Sequence, residues 1–252
     1  EKGIQVWAVL DNFNQGDDVK SEVLFSQTSV RKDLIAKLME DVKTYEIDGI
    51  NLDIEGIKEE AGPHYVQFIR ELSVSCRNEG VILSVDNYVP SPSTHFYNRA
   101  EQGRVADYVI IMAYDEHYAG GEAGSIASLP YVKKGIEDTI LAVPKEKVIC
   151  AVPFYTRVWI EDDKTTTSSA LGISAAKKWV EENQVELYWQ EELGQYYGEL
   201  MTEEGMKEIW MEEETSLGLK MGLIEEYGLA GVACWRLGLE PASAWEIVKV
   251  NQ

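Results

Sequence analysis

Positive charge is scarce in this chain of 252 residues: 23 Lys and Arg stand against 44 Asp and Glu, a net charge of -21. No basic stripe exists to meet a phosphate backbone, so neither nucleic acid nor an anionic lipid surface is an expected partner. The acidity itself reads as solubility. Cysteine is also scarce. Cys76, Cys150 and Cys234 are odd in number and widely spaced, which gives neither a disulfide framework nor a zinc site. Cys150 and Cys234 fall in apolar runs, where a buried free thiol is expected. The only histidines, His64, His95 and His117, make no ligand set, so neither metal nor cofactor is expected. No apolar run is long enough to span a bilayer, and no leader peptide is visible, although the abrupt start at Glu1-Lys2-Gly3 is compatible with a leader having been removed.

What the chain does have is a rhythm. Short apolar runs at 4–10, 47–54, 81–86, 108–113, 148–154 and 229–235 alternate with segments of helical spacing at 30–45, 65–78, 132–143 and 242–250. Strands alternating with helices predict a parallel sheet with helices outside it, an α/β fold. The length suits one domain, residues 1–252. From about 157 to 228 the rhythm changes. A helix at 174–183 is followed by alternating polar and apolar segments at 185–190, 195–200 and 207–212, with Gly194 and Gly205 between them, and by a helix at 216–227. This predicts a small antiparallel sheet inserted before the last strand.

The chemistry concentrates in Asp48-Gly49-Ile50-Asn51-Leu52-Asp53-Ile54-Glu55. With the period of two of a strand, Asn51, Asp53 and Glu55 share one face and Ile50, Leu52 and Ile54 the other. The apolar face can pack under helices, while the polar one needs partners, because unpaired buried carboxylates are costly. In a (β/α) barrel the C-terminal end of a strand is where active sites sit. Two neighbouring, partly buried carboxyls there raise the proton affinity of one of them, which suits a proton donor.

At these residues the sequence resembles glycoside hydrolase family 18, the chitinase family, whose motif reads Asp-Gly-x-Asp-x-Asp-x-Glu; Asp48, Gly49, Asp53 and Glu55 match it. Met112-Ala113-Tyr114-Asp115 resembles the family's Met-x-Tyr-Asp motif, and Gly231-Val232-Ala233-Cys234-Trp235 its last strand. Segments 107–117, 152–159 and 235–240 look like the bacterial branch associated with spore envelopes and cell walls. The resemblance implies a TIM-type barrel and hydrolysis of a polysaccharide containing N-acetylglucosamine, such as chitin-like oligosaccharide or peptidoglycan. It implies a cell-envelope, spore-coat or secreted location. It also implies substrate-assisted catalysis. Glu55 would protonate the leaving oxygen, Asp53 would orient the substrate acetamido N–H, and Tyr114 would hold the acetamido oxygen. Asp115 would bind the sugar at the cleaved position, and Trp235 would lie flat under it. Asp86, Tyr155 and Arg157, near strand ends, are further candidates for lining the cleft. His117 is expected to be a loop hydrogen-bonding residue, and Trp7 a core residue.

Two departures stand out. Asn51 replaces the motif's first inner Asp, so Asp53 loses a carboxyl neighbour and gains an amide able to hydrogen-bond it. Only one strand precedes the motif, whereas the family has three, so the first two βα units are missing from the expected barrel. Such a sheet has two edges. The chain could be a piece of a longer one, two chains could associate through their edges, or the sheet could close differently. Two other readings share the fold: a sugar-binding relative without activity, and an interaction domain in which Asp53, Glu55 and Tyr114 do not converge.

Overall fold

The structure is a computed structural model that describes residues 3–13, 21–162 and 164–248. The chain forms two compact units: residues 1–111 with 138–149, and residues 112–137 with 150–252.

In the first unit the strand order is β1 (Trp7–Asp11), β2 (Gly49–Asp53), β3 (Ile82–Tyr88) and β4 (Tyr108–Met112), whose last residue begins the second unit. β1 pairs parallel with β2 from Trp7↔Gly49 to Asp11↔Asp53, and β2 pairs parallel with β3 from Gly49↔Ile82 to Leu52↔Val85. The helices are α1 (Ser21–Ser26), α2 (Thr28–Tyr45), α3 (Gly62–Glu79) and α4 (Arg99–Val105). α3 carries Pro63 in its first turn and stops at Gly80, whose φ of 70° lets its N–H reach the carbonyls of Arg77 and Cys76. Ile50, Leu52 and Ile54 enter one apolar core with Ile35, Phe68 and Leu72. That burial turns Asn51 and Asp53 onto the opposite face of β2. Gly49 is needed where it stands, since a Cβ there would come within 2.6 Å of the Trp7 ring. Trp7 is half-buried and stacks on Tyr108 with ring centroids 5.6 Å apart. The apolar edge expected at β1 is present: Val9 of the strand and Val6 just before it are exposed.

The second unit holds most of β5 (Val148–Pro153), which neighbours β11 (Gly231–Trp235). α5 (Leu129–Ile140) begins in this unit and ends in the first. The expected antiparallel insertion is present but larger than the sequence suggested. Among the described residues it has five strands in the order β7-β6-β10-β9-β8: β6 (Tyr155–Glu161), β7 (Thr166–Gly172), β8 (Leu187–Gln190), β9 (Gln195–Thr202) and β10 (Gly205–Trp210). α6 (Ile173–Glu182) packs its Ala176, Trp179 and Val180 against Val158 and Ile209 of this sheet. α7 (Glu214–Tyr227) ends at Gly228, φ 62°. The closing helix, α8, spans only Ala244–Ile247, and the end of the expected segment, 249–250, lies outside the described residues. Cys150 is buried as expected, whereas Cys234 is half-buried.

Candidate active site

The carboxyl-bearing ends of β2 and β3 form the polar cluster of the first unit. Asn51 and Asp53 are buried on β2, and Glu55, two residues on, is half-buried. Asn51 stands opposite Ser84 in the register, accepts from Ser84 Oγ at 2.6 Å and donates from Nδ2 to Asp86 Oδ2 at 2.6 Å. The expected amide bond to Asp53 is therefore not made. With its oxygen held by Ser84, the Asn51 NH2 is aimed at β3 and binds Asp86 instead.

Asp53 Oδ1 and Asp86 Oδ1 are both buried without a hydrogen-bond partner. Burial raises the Asp53 carboxyl to about 6, helped by the charges of Glu55 and Asp11 and by a hydrogen bond with Glu55. Burial likewise raises Asp86 to about 7; the Asn51 bond opposes this, while the Asp53 and Glu55 charges reinforce it.

Glu55 is held by groups the sequence reading passed over. Asn12 clamps its main chain from both sides, donating from Nδ2 to the Glu55 carbonyl at 2.7 Å and accepting from the Glu55 N–H at 2.9 Å. Tyr88 hydrogen-bonds the Glu55 carboxyl and accepts from the Gly56 N–H at 3.2 Å. Tyr97 OH donates to the Ile54 carbonyl at 3.2 Å. No sequence signal marked Asn12 beyond its place one residue after β1.

In the second unit a separate cluster gathers four predicted residues. Tyr155 OH donates to Asp115 Oδ1 at 2.5 Å, and Arg157 Nε lies 4.0 Å from the same oxygen. Arg157 Nη1 donates to Ser168 Oγ at 3.2 Å. Tyr114 meets Tyr155 edge-on at 6.3 Å between centroids. Asp115 takes φ 55°, a left-handed conformation that Asp tolerates better than most residues. Burial, with the Asp115 hydrogen bond second, pushes the Tyr155 phenol up. Trp235 ends β11 with its side chain half exposed, while its carbonyl accepts from the Phe154 N–H at 2.7 Å. His117 takes the expected loop role, its Nδ1 lying 3.1 Å from the Glu122 carbonyl. Among the described residues no group of three or more His, Cys, Asp or Glu is placed to hold a metal ion, and no helix is long and apolar enough to cross a membrane.

Residues 15–240, which carry both clusters apart from Asn12, match the model of glycosyl hydrolases family 18. The chain belongs to this family. Over 264 aligned residues it is 27% identical to YvbX of Bacillus subtilis, named an uncharacterized glycosylase, covering 99% of this chain and 75% of that protein. To the cortical fragment-lytic enzyme of Bacillus anthracis it is 25% identical, covering 96% of this chain and 58% of that enzyme, so it spans little more than half of that relative. A crystal structure of YdhD from Bacillus subtilis, provisionally named a sporulation-specific glycosylase, superposes with a TM-score of 0.86 at 26% identity over 94% of this chain and 81% of that one. A chitinase from Chromobacterium violaceum shares the fold, with a TM-score of 0.89 at 21% identity over 97% of this chain and 79% of that one. The expected fold class stands: parallel strands with helices, of the family 18 barrel kind, plus an additional antiparallel sheet.

Proposed function

We propose that this family 18 member hydrolyses β-linked polysaccharide containing N-acetylglucosamine, with retention of configuration and with the substrate's acetamido group as nucleophile. Glu55 protonates the glycosidic oxygen as the bond breaks. The acetamido carbonyl oxygen attacks the anomeric carbon and closes an oxazolinium ring. Asp53 accepts from the acetamido N–H and offsets the positive charge. Water then opens the ring, giving its proton to Glu55. Tyr114 holds the acetamido oxygen, Asp115 binds the sugar at the cleaved position, and Trp235 offers it a flat apolar face. Asn51 and Asp86 beside Asp53, and Tyr155 and Arg157 beside Asp115, are further sugar-contacting residues in this reading.

The observation that carries this reading is the coupling of Asp53 to Glu55 at the end of β2. A carboxyl raised to about 6 and hydrogen-bonded to its neighbour holds a proton beside the leaving group in mildly acidic solution. The relatives' names favour spore cortex peptidoglycan over chitin, with work at the cell envelope or spore coat or after secretion. The exposed Val9 of β1, with Val6 just before the strand, favours association of two chains along that edge.

The test is hydrolysis of a chromogenic N-acetylglucosamine oligosaccharide and of cortex peptidoglycan by the wild type and by Glu55→Gln. Cleavage by the wild type alone, with proton NMR showing the β-anomer formed first, supports the proposal. Sugar binding without cleavage by the wild type points instead to a binding relative.

A further inference from the structure

Four polar residues form a block on one face of β2 and β3. Asn51 and Ser84 face each other in the register, and Asp53 and Asp86 come two residues later on the same face of each strand. Adjacent strands lie about 4.8 Å apart, which brings two such side chains within reach of each other. The relay Ser84 to Asn51 to Asp86, with both bonds at 2.6 Å, fixes the Asp86 carboxyl by its Oδ2. Its Oδ1 is left buried without a partner, and so is Asp53 Oδ1. The Asp53 charge acts on Asp86, and two close, buried carboxylates do not both ionise easily, so the two side chains titrate as a pair that retains one proton.

We propose that Asp86 is a positioning residue that shares one proton with Asp53 and supplies, from β3, the second carboxyl that the family motif carries at position 51. This rests on the glycosidase reading. The step is a proton exchange with solvent alone: the pair takes up one proton as an O–H bond on either carboxyl and releases it to water at higher pH, with no other bond changed. The groups facing the pair favour keeping that proton. Glu55, two residues beyond β2, and Asp11 on β1 act as negative charges, and Tyr65 on α3, Tyr97 in the turn before α4 and Tyr88 on β3 are phenols. β4 brings no titratable side chain at residues 109–111. Tyr65 is fully buried with its OH unpartnered, and both carboxyls act on it. Asp86, raised to about 7, is the member of the pair that holds the proton longer as pH rises. In this reading the rate needs the pair's proton, and the loss of that proton sets the basic limb of activity.

The test compares the pH dependence of kcat/KM for the wild type, Asp86→Asn, Asn51→Asp and the exchange variant Asn51→Asp/Asp86→Asn. It is paired with carboxyl 13C NMR titration of the wild type and Asp86→Asn. We expect Asp86→Asn to move the basic limb down by about one pH unit. The exchange variant, which restores a carboxyl–amide pair in reverse order, should recover most of the rate and return the limb towards its wild-type position. The wild-type Asp53 and Asp86 resonances should titrate together, and Asp53 in Asp86→Asn in one step at lower pH. A uniform loss of rate in Asp86→Asn with an unmoved limb would mean that Asp86 only supports the fold, and would overturn the proposal. So would two independent wild-type titrations near pH 4. The NMR arm needs no turnover, so it decides the proton pair even if the Glu55→Gln comparison removes the glycosidase reading.

Discussion

The Asn51 side chain gives its NH2 to Asp86, 2.6 Å away, and leaves Asp53 Oδ1 buried without a donor. An Asp whose folded-state value lies above its unfolded one favours the fold in its protonated form. The associated stability is full below about pH 4 and is lost as pH rises through about 6. Asp53→Asn is therefore expected to stabilise the protein at pH 8 by about 1–3 kcal/mol, with the gain vanishing near pH 4. Thermal unfolding at both values checks this; equal gains at the two would contradict it. The same variant should lose activity, a trade-off common at active sites.

Asn12 fixes the Glu55 main chain through two hydrogen bonds. Asn12→Ala is expected to lower kcat by roughly 10- to 100-fold with little change in KM, because it displaces the acid and not the sugar-binding groups. Asn12→Asp keeps the acceptor but loses the donor, and should fall between the two. Steady-state kinetics on one oligosaccharide decide it, and a pure KM effect would refute the positioning role.

Tyr155 OH and the Arg157 guanidinium converge on one oxygen of Asp115. Tyr155→Phe removes the hydrogen bond and leaves the ring packing in place. If Asp115 binds the sugar, its freed carboxylate should weaken that binding and raise KM about 3- to 10-fold, the effect of one hydrogen bond of roughly 1 kcal/mol. Isothermal titration of the Glu55→Gln background with the oligosaccharide reads this without turnover; unchanged affinity would separate Asp115 from the sugar.

The second unit contains a fully buried ion pair. Lys220 Nζ lies 2.7 and 2.8 Å from the two oxygens of Glu212, and both residues are almost inaccessible to solvent. Gln195 Nε2 and Ser216 Oγ also donate to Glu212, each at 2.9 Å. Lys220→Met leaves an uncompensated buried carboxylate and should cost about 3–5 kcal/mol in denaturant unfolding. Lys220→Met/Glu212→Leu should cost clearly less than that single variant. A double variant that is additive or worse would refute this view of the pair.

The legible parts of the molecule are those where one-dimensional patterning coincides with burial. Ile50, Leu52 and Ile54 alternate with Asn51 and Asp53, and the core takes the apolar set as expected. β7 escaped notice because Thr166–Gly172 opens with four hydroxyl residues in a row and carries no large apolar side chain until Leu171. It is a strand because β6 pairs with it from Tyr155↔Gly172 to Glu161↔Thr166. In the site, the Asp53–Glu55 spacing was readable from the strand period. The destination of the Asn51 amide was not, since it depends on Ser84 and Asp86, more than thirty residues away. Asn12 was invisible for the same reason, its partner lying 43 positions further on.

The most direct test of Glu55 as the acid is its dependence on the leaving group. We would measure the rate of Glu55→Gln relative to the wild type on two substrates: an N-acetylglucosamine oligosaccharide, whose departing sugar oxygen needs a proton, and a dinitrophenyl glycoside, whose departing phenolate does not. A loss of about 100- to 10,000-fold on the first and a much smaller one on the second is the result expected when an acid is removed. Equal losses on both substrates, or none, would contradict the role assigned to Glu55.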